Sequence, residues 1–150
     1  MKNKPLVSVV IPTYNSEKTL AKCLESVKTQ SYKNVELIVI YKFSQDKILE
    51  IANNYNAKII QDNGERAKAK NIGLEKARGK YVLFLDSDMQ LSRDVAKECV
   101  ETAEKDDKIA GNDKIGGIII PERSIGNGFW VRVRDFERSF YAGSEEEVGL

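Results

Sequence analysis

"PLVSVVIPTYNSEKTLAKCLESVKTQSYKNVELIVIY" (residues 5–41) decides the fold class of this chain. Its first segment, PLVSVVIP (5–12), is an almost continuous run of β-branched and apolar residues. A strand with one wet face would alternate polar and apolar positions, so this strand is expected to be covered on both faces. Asn15 or Ser16 can cap the helix that follows, in which Leu20, Cys23, Leu24 and Val27 recur at three- and four-residue spacing. VELIVIY (35–41) reads as a second buried strand. Strand, helix and strand in this order imply a mostly parallel sheet wrapped by helices.

The rest of the chain repeats the alternation. DKILEIANNYN (46–56) reads as a helix with Ile48, Ile51 and Ala52 inward, and AKIIQ (57–61) as a short third strand. GERAKAKNIGLEKARG (64–79) is a helix that Gly79 would stop at the C′ position. KYVLFL (80–85) is a fourth strand burying Val82, Leu83, Phe84 and Leu85. Ser92 caps a helix to about Lys105, with Val95, Cys99, Val100 and Ala103 on one face. IGGIIIP (115–121) reads as a fifth strand and GFWVRVRDFERSFYAG (128–143) as a last helix. The expectation is one α/β domain over residues 1–150, a Rossmann-like sheet with helices on both faces.

With 150 residues, 41% hydrophobic and 31% charged, the chain can bury one proper core. A net charge of +1 gives no overall attraction to nucleic acid, so no nucleic-acid partner is expected. No apolar run approaches the roughly 18 residues of a membrane span, and MKNKPLVSVV lacks a signal peptide's length and cleavage site. A cytoplasmic location is the corresponding expectation. Cys23 and Cys99 fall at apolar helix positions and read as buried free thiols. Histidine is absent, which removes Ser-His-Asp and Cys-His catalysis and imidazole metal sites. Acid–base work would fall to carboxylates, Lys, Tyr or the substrate, and any metal would be a hard ion on oxygen.

Ligands of open α/β sheets gather outside the carboxyl ends of the strands. Three distinctive loops fall there: PTYN (12–15), YKFSQD (41–46) and DSD (86–88). Two aspartates straddling one serine, directly after a buried strand, raise each other's ionisation cost. Either they sit in a solvated turn, or a divalent cation lies between them and carries two oxygens of a diphosphate. PTYN is either a plain strand exit or a ligand loop, with a fixed backbone at Pro12, a hydroxyl at Thr13 and a ring at Tyr14. Lys68 and Lys70, near Asn71 and Gly73, form a solvated lysine face or contact phosphate. Phe129, Trp130, Val133, Phe136 and Phe140, interleaved with Arg132, Arg134 and Arg138, are core aromatics, a hydrophobic acceptor site or a peripheral membrane contact.

VSVVIPTYNSEKTLAKCLESVKTQSYKNVELIVI followed by AKNIGLEKARGKYVLFLDSD resembles the nucleotide-sugar-binding half of a family 2 glycosyltransferase of the GT-A fold, over roughly residues 6–91. The resemblance implies a metal-dependent inverting transfer of sugar from a nucleoside-diphosphate sugar (a UDP- or GDP-sugar) to a glycan or lipid-linked acceptor. It implies nucleotide-sugar contacts at Pro12, Thr13, Tyr14, Asn15, Tyr41, Lys70, Asn71, Asp86 and Ser87. It further implies Mg²⁺ or Mn²⁺ on Asp86 and Asp88, and Gln90 resembles the glutamine that assists the metal in dolichyl-phosphate sugar synthases.

Two features depart from the family. Its paired acids after strand two are replaced here by Tyr41 and Lys42, while Ser44 and Asp46 remain, so weak discrimination between bases, or a preference for a base other than uracil, is expected. The family's catalytic base lies past the fifth strand, where this chain offers Glu145, Glu146 and Glu147; Glu146 and Glu147 are the base candidates, the alternative being a solvated tail. Residues 1–91 are thus expected to form the nucleotide-binding core and 115–150 the start of an incomplete acceptor region, able to self-associate. The rival reading is a non-catalytic nucleotide-sugar binding module or a degenerate glycosyltransferase that has lost its site. A nucleotidyltransferase would need a glycine-rich loop after strand one, and PTYNSEKT has no glycine.

Overall fold

The computed structural model describes residues 4–109, 116–124 and 132–133. Contacts divide the chain into two units, Met1–Lys105 and Asp106–Leu150. The elements run β1 (Val7–Thr13), α1 (Glu17–Lys28), β2 (Val35–Tyr41), α2 (Ile48–Asn54), β3 (Lys58–Gln61), α3 (Arg66–Lys76), β4 (Tyr81–Phe84) and α4 (Val95–Ile109). The strands form one sheet in the order β3-β2-β1-β4, and every pairing is parallel.

β1 lies between β2 and β4, which explains its unbroken apolar run. Val9 and Ile11 face a core built with Leu20, Cys23 and Leu24 of α1, Ile48 and Ala52 of α2, and Ala96 and Val100 of α4. Val10 faces the opposite side, with Ile38, Ile40 and Ala69 of α3. Helices therefore cover both faces, as the α/β reading required. The strand order reverses beside β1, between the ends of β1 and β4, and such a reversal opens a crevice at the carboxyl edge of the sheet.

The boundaries differ from expectation in several places. α3 ends at Lys76 with Ala77 extended, so Gly79 is not its stop. A Cβ on Gly79 would lie 2.7 Å from the Leu6 carbonyl oxygen and 2.8 Å from the Ser8 nitrogen, so glycine is needed for close backbone approach. α4 starts at Val95 rather than after Ser92, because the Asp94 carbonyl accepts the first helical bond, from Glu98 N–H at 2.9 Å. Phe84 is 42% exposed, since β4 is an edge strand among the described residues. Cys23 is buried but Cys99 is only half-buried. Residues 116–121 of the expected fifth strand are not in a strand. Of the expected helix over 128–143, Arg132 and Val133 are helical and exposed, and the rest lies outside the described residues.

Candidate donor-binding site

Two loops and one helix end meet at the crevice. Pro12 lies at the end of β1 and Tyr14, Asn15 and Ser16 follow it, Asp86, Ser87 and Asp88 follow β4, and Arg66 opens α3; together with Thr19 they line a polar cleft of about 240 Å³. Tyr14 is 57% exposed and belongs to the cleft lining. Asn15 reaches this turn through a left-handed backbone, φ 49°, a conformation that asparagine tolerates better than most residues. Ser16 stands at the N-cap of α1, but its hydroxyl does not cap the helix. It accepts from Tyr14 N–H, donates to the Tyr14 carbonyl, and accepts from the Ser87 hydroxyl at 2.8 Å, which joins the two loops.

Electrostatics centre on Asp86. Arg66 lies 3.6 Å from one carboxylate oxygen and Lys70 lies 3.7 Å from the other. Asp88 is exposed and makes no ion pair among the described residues. Beneath the pair, the Cys23 thiol donates to the Asp86 carbonyl at 3.6 Å. Burial first, then the Asp88 and Asp86 charges, push that thiol up to about 12, so it stays a neutral donor.

The loop after β2 is organised otherwise than the sequence suggested. Tyr41 is buried, its hydroxyl donating to the Ser44 carbonyl at 2.9 Å, so its ring braces its own loop from the core side. Asp46 accepts from the Ser44 hydroxyl and from Glu17 N–H, where it caps α1. The surviving acid of this loop is thus committed to a helix end. The Lys42 ammonium lies 5.1 Å from the Tyr14 ring centroid, placing a cation over the aromatic face. Thr13 is buried with its hydroxyl on the Ile40 carbonyl, and Asn71 is exposed on α3 outside the cleft lining.

Gln90 does not share the cleft of the aspartates. It lines a separate depression of about 450 Å³ with Lys22, Glu25, Tyr55 and Leu91. That depression is larger but holds neither member of the aspartate pair. Among the described residues no three His, Cys, Asp or Glu side chains form a metal cage. Glu146 and Glu147 lie outside the described residues. Sequence reasoning does not single out Arg66, which lies within the helix expected over 64–79. The signal was present: Arg66 and Lys70 are four residues apart, hence neighbours on one helix face. No helix among the described residues is long and apolar enough to cross a membrane.

Comparison with known proteins fits this geometry. The family model described as "Glycosyl transferase family 2" matches residues 8–144. An uncharacterized glycosyltransferase of Haemophilus influenzae is 44% identical over 99 residues, covering 61% of this chain and 40% of the relative. Glycosyltransferase GlyG of Streptococcus pneumoniae is 35% identical over 148 residues, 87% of this chain and 45% of the relative. The crystal structure of S. aureus TarS 1–349 in complex with UDP-GlcNAc matches with a TM-score of 0.63 and 27% identity, covering 79% of this chain and 38% of that one. The chain spans less than half the length of these relatives.

Proposed function

The chain belongs to glycosyl transferase family 2, and on that premise we propose that its cleft holds the diphosphate of a UDP- or GDP-sugar, whose sugar the whole protein passes with inversion to a glycan or lipid-linked acceptor. The observation that carries the reading is the meeting of Tyr14, Arg66, Asp86 and Asp88 around one polar cleft at the strand-order reversal. Tyr14 offers a stacking face for a base. Arg66 and Lys70 bring positive charge to the same edge, where a diphosphate can take them as partners in place of Asp86. The likeness to a TarS structure containing UDP-GlcNAc supports the ligand class.

Asp86 and Asp88 are the residues that would hold Mg²⁺ or Mn²⁺. The donor set fits a hard ion that takes one or two carboxylates and completes its shell with phosphate and water. Asp88 has no ion-pair partner to give up among the described residues, and a protein-only cage is not required. Once bound, the ion would supply charge neutralisation to the departing nucleoside diphosphate. Glu146 or Glu147 remains the proposed base that takes the acceptor's proton. The alternative, a binding module without turnover, draws on Tyr41 and Lys42 standing where the family carries acids.

Calorimetric titration with UDP and with GDP, each with Mn²⁺ and with excess chelator, tests the proposal. The expected result is saturable binding that needs the metal. Equal affinity in chelator would remove the metal from the site, and no binding of either nucleotide would overturn the donor-site reading. Sugar-nucleotide turnover above about 1 s⁻¹ would exclude the non-catalytic module.

A further inference from the structure

Ten residues, 85–94, connect β4 to α4 without helix or strand, and the first of them carry the aspartate pair. Two carboxylates one residue apart repel each other, so an untethered loop would relax by letting them separate. This loop is tethered along its length to one face of α1 and the turn after it. The Ser87 hydroxyl donates to Ser16 at 2.8 Å, and the Cys23 thiol donates to the Asp86 carbonyl. Leu91 N–H donates to the Ser26 hydroxyl at 3.0 Å, and Ser31 N–H to the Arg93 carbonyl at 2.9 Å.

The anchor of this series is Gln30. It is 1% exposed, and its amide is used in both directions. Nε2 donates to the Ser92 carbonyl at 2.7 Å and to the Ser26 carbonyl at 3.0 Å, while Oε1 accepts from Ala96 N–H at 3.1 Å. That N–H belongs to the first turn of α4, one of the donors that a helix cannot satisfy internally. Gln30 therefore fixes the far end of the loop and the start of α4 together. An apolar side chain of the same length would leave the buried Ala96 N–H without its partner and would take a close donor from the Ser92 carbonyl. Neither Gln30 nor Ser26 lines the aspartate cleft.

We propose that Gln30 is a positioning residue for the Asp86–Asp88 pair: through its hydrogen bonds to Ser92 and Ala96, and with Ser26 on Leu91, it holds the loop in the conformation that receives the ligand. The affinity part of this inference rests on the donor-site reading above, whereas the loop-ordering part does not. Gln30→Met keeps length and volume and removes the hydrogen bonds. Val27→Ala is the control, since Val27 is a buried α1 residue of the core without a side-chain bond to the loop.

Amide hydrogen exchange over residues 86–92 of the ligand-free chain, and titration with UDP plus Mn²⁺, read the two parts. Gln30→Met is expected to speed loop exchange about tenfold or more and to weaken UDP binding by a similar factor, at a temperature where both variants are folded. Val27→Ala is expected to lose at least as much thermal stability with loop exchange and affinity unchanged. Unchanged loop exchange in Gln30→Met, or equal acceleration in Val27→Ala, overturns the proposal. If Gln30→Met does not fold, Ser26→Ala gives the same reading at Leu91, expected to be faster there and overturning the proposal if not. If the unaltered chain binds neither UDP nor GDP, the donor-site reading falls and loop exchange alone decides on Gln30.

Discussion

Arg66 has a side chain 74% exposed and sits 3.6 Å from Asp86, so as a stabilising ion pair it contributes little. Its value is in charge placement. Arg66→Ala is expected to leave thermal stability unchanged within about 0.5 kcal/mol. The same substitution should weaken UDP binding roughly 5- to 30-fold, about 1–2 kcal/mol, the usual worth of a charge-assisted hydrogen bond. Calorimetry and a thermal melt on one sample check both parts, and an unaltered affinity would take Arg66 out of the site. Lys42 addresses a different question. A uracil presents an N–H that a lysine cannot accept, and Asp46 is committed to the start of α1. Affinity for GDP equal to or above that for UDP is expected, and a strong UDP preference in the unaltered chain would contradict this.

At the scale of elements, two contacts fix α3 and the entry to β4 against β1. A Cβ on Gly73 would lie 2.2 Å from Val10 Cγ1, so α3 approaches the sheet more closely than an alanine allows. Gly73→Ala should therefore destabilise by about 1–3 kcal/mol despite alanine's better helix propensity. Adding Val10→Ala should recover part of the loss from Gly73→Ala, which urea unfolding midpoints can show. Glu36 of β2 accepts from the Ser8 hydroxyl at 2.6 Å, from Arg78 N–H at 2.8 Å, and from the Arg78 guanidinium. Burial would raise its carboxyl, but the Ser8 and Arg78 hydrogen bonds outweigh burial and hold it below the ordinary range. A carboxyl lowered by folding stabilises the protein above its unfolded value, near 4.3, and loses that contribution as pH falls through the folded value. Glu36→Gln is thus expected to cost roughly 1–2 kcal/mol at pH 7. The gap between the two urea midpoints should narrow on titration to pH 3, and a constant gap would show that ionisation of Glu36 is not the source.

For the whole molecule, every residue lining the polar cleft lies between Pro12 and Asp88, within the unit Met1–Lys105. Residues 1–109, which include all of α4, are therefore expected to fold by themselves and to bind UDP with Mn²⁺ within about threefold of the 150-residue chain. Circular dichroism melts and calorimetry check this; a fragment that folds but does not bind would show that the site draws on residues beyond 109.

The sequence by itself determined the parallel α/β class, because an apolar strand such as VSVVI can only be buried from both sides. It also marked the loops after β1 and β4, because two carboxylates directly after an apolar run stand out from an ordinary strand exit. Strand ends were less legible: Phe84 and the segment 116–121 are apolar, and apolar character does not say which edge of a sheet stays open. Only the tertiary structure decided what the polar side chains do. Asp46 reads locally as a loop acid, yet it caps a helix 29 residues away in sequence. Gln90, two residues past the aspartate pair, turns into another depression, while Arg66, 20 residues before Asp86, meets it. Gln30 looks like an ordinary polar residue at a helix end, and it is buried in a clamp on a loop more than 60 residues further on. Burial of apolar residues follows a local period that a sequence displays, whereas a hydrogen bond depends on which distant atom arrives opposite, and packing alone sets that.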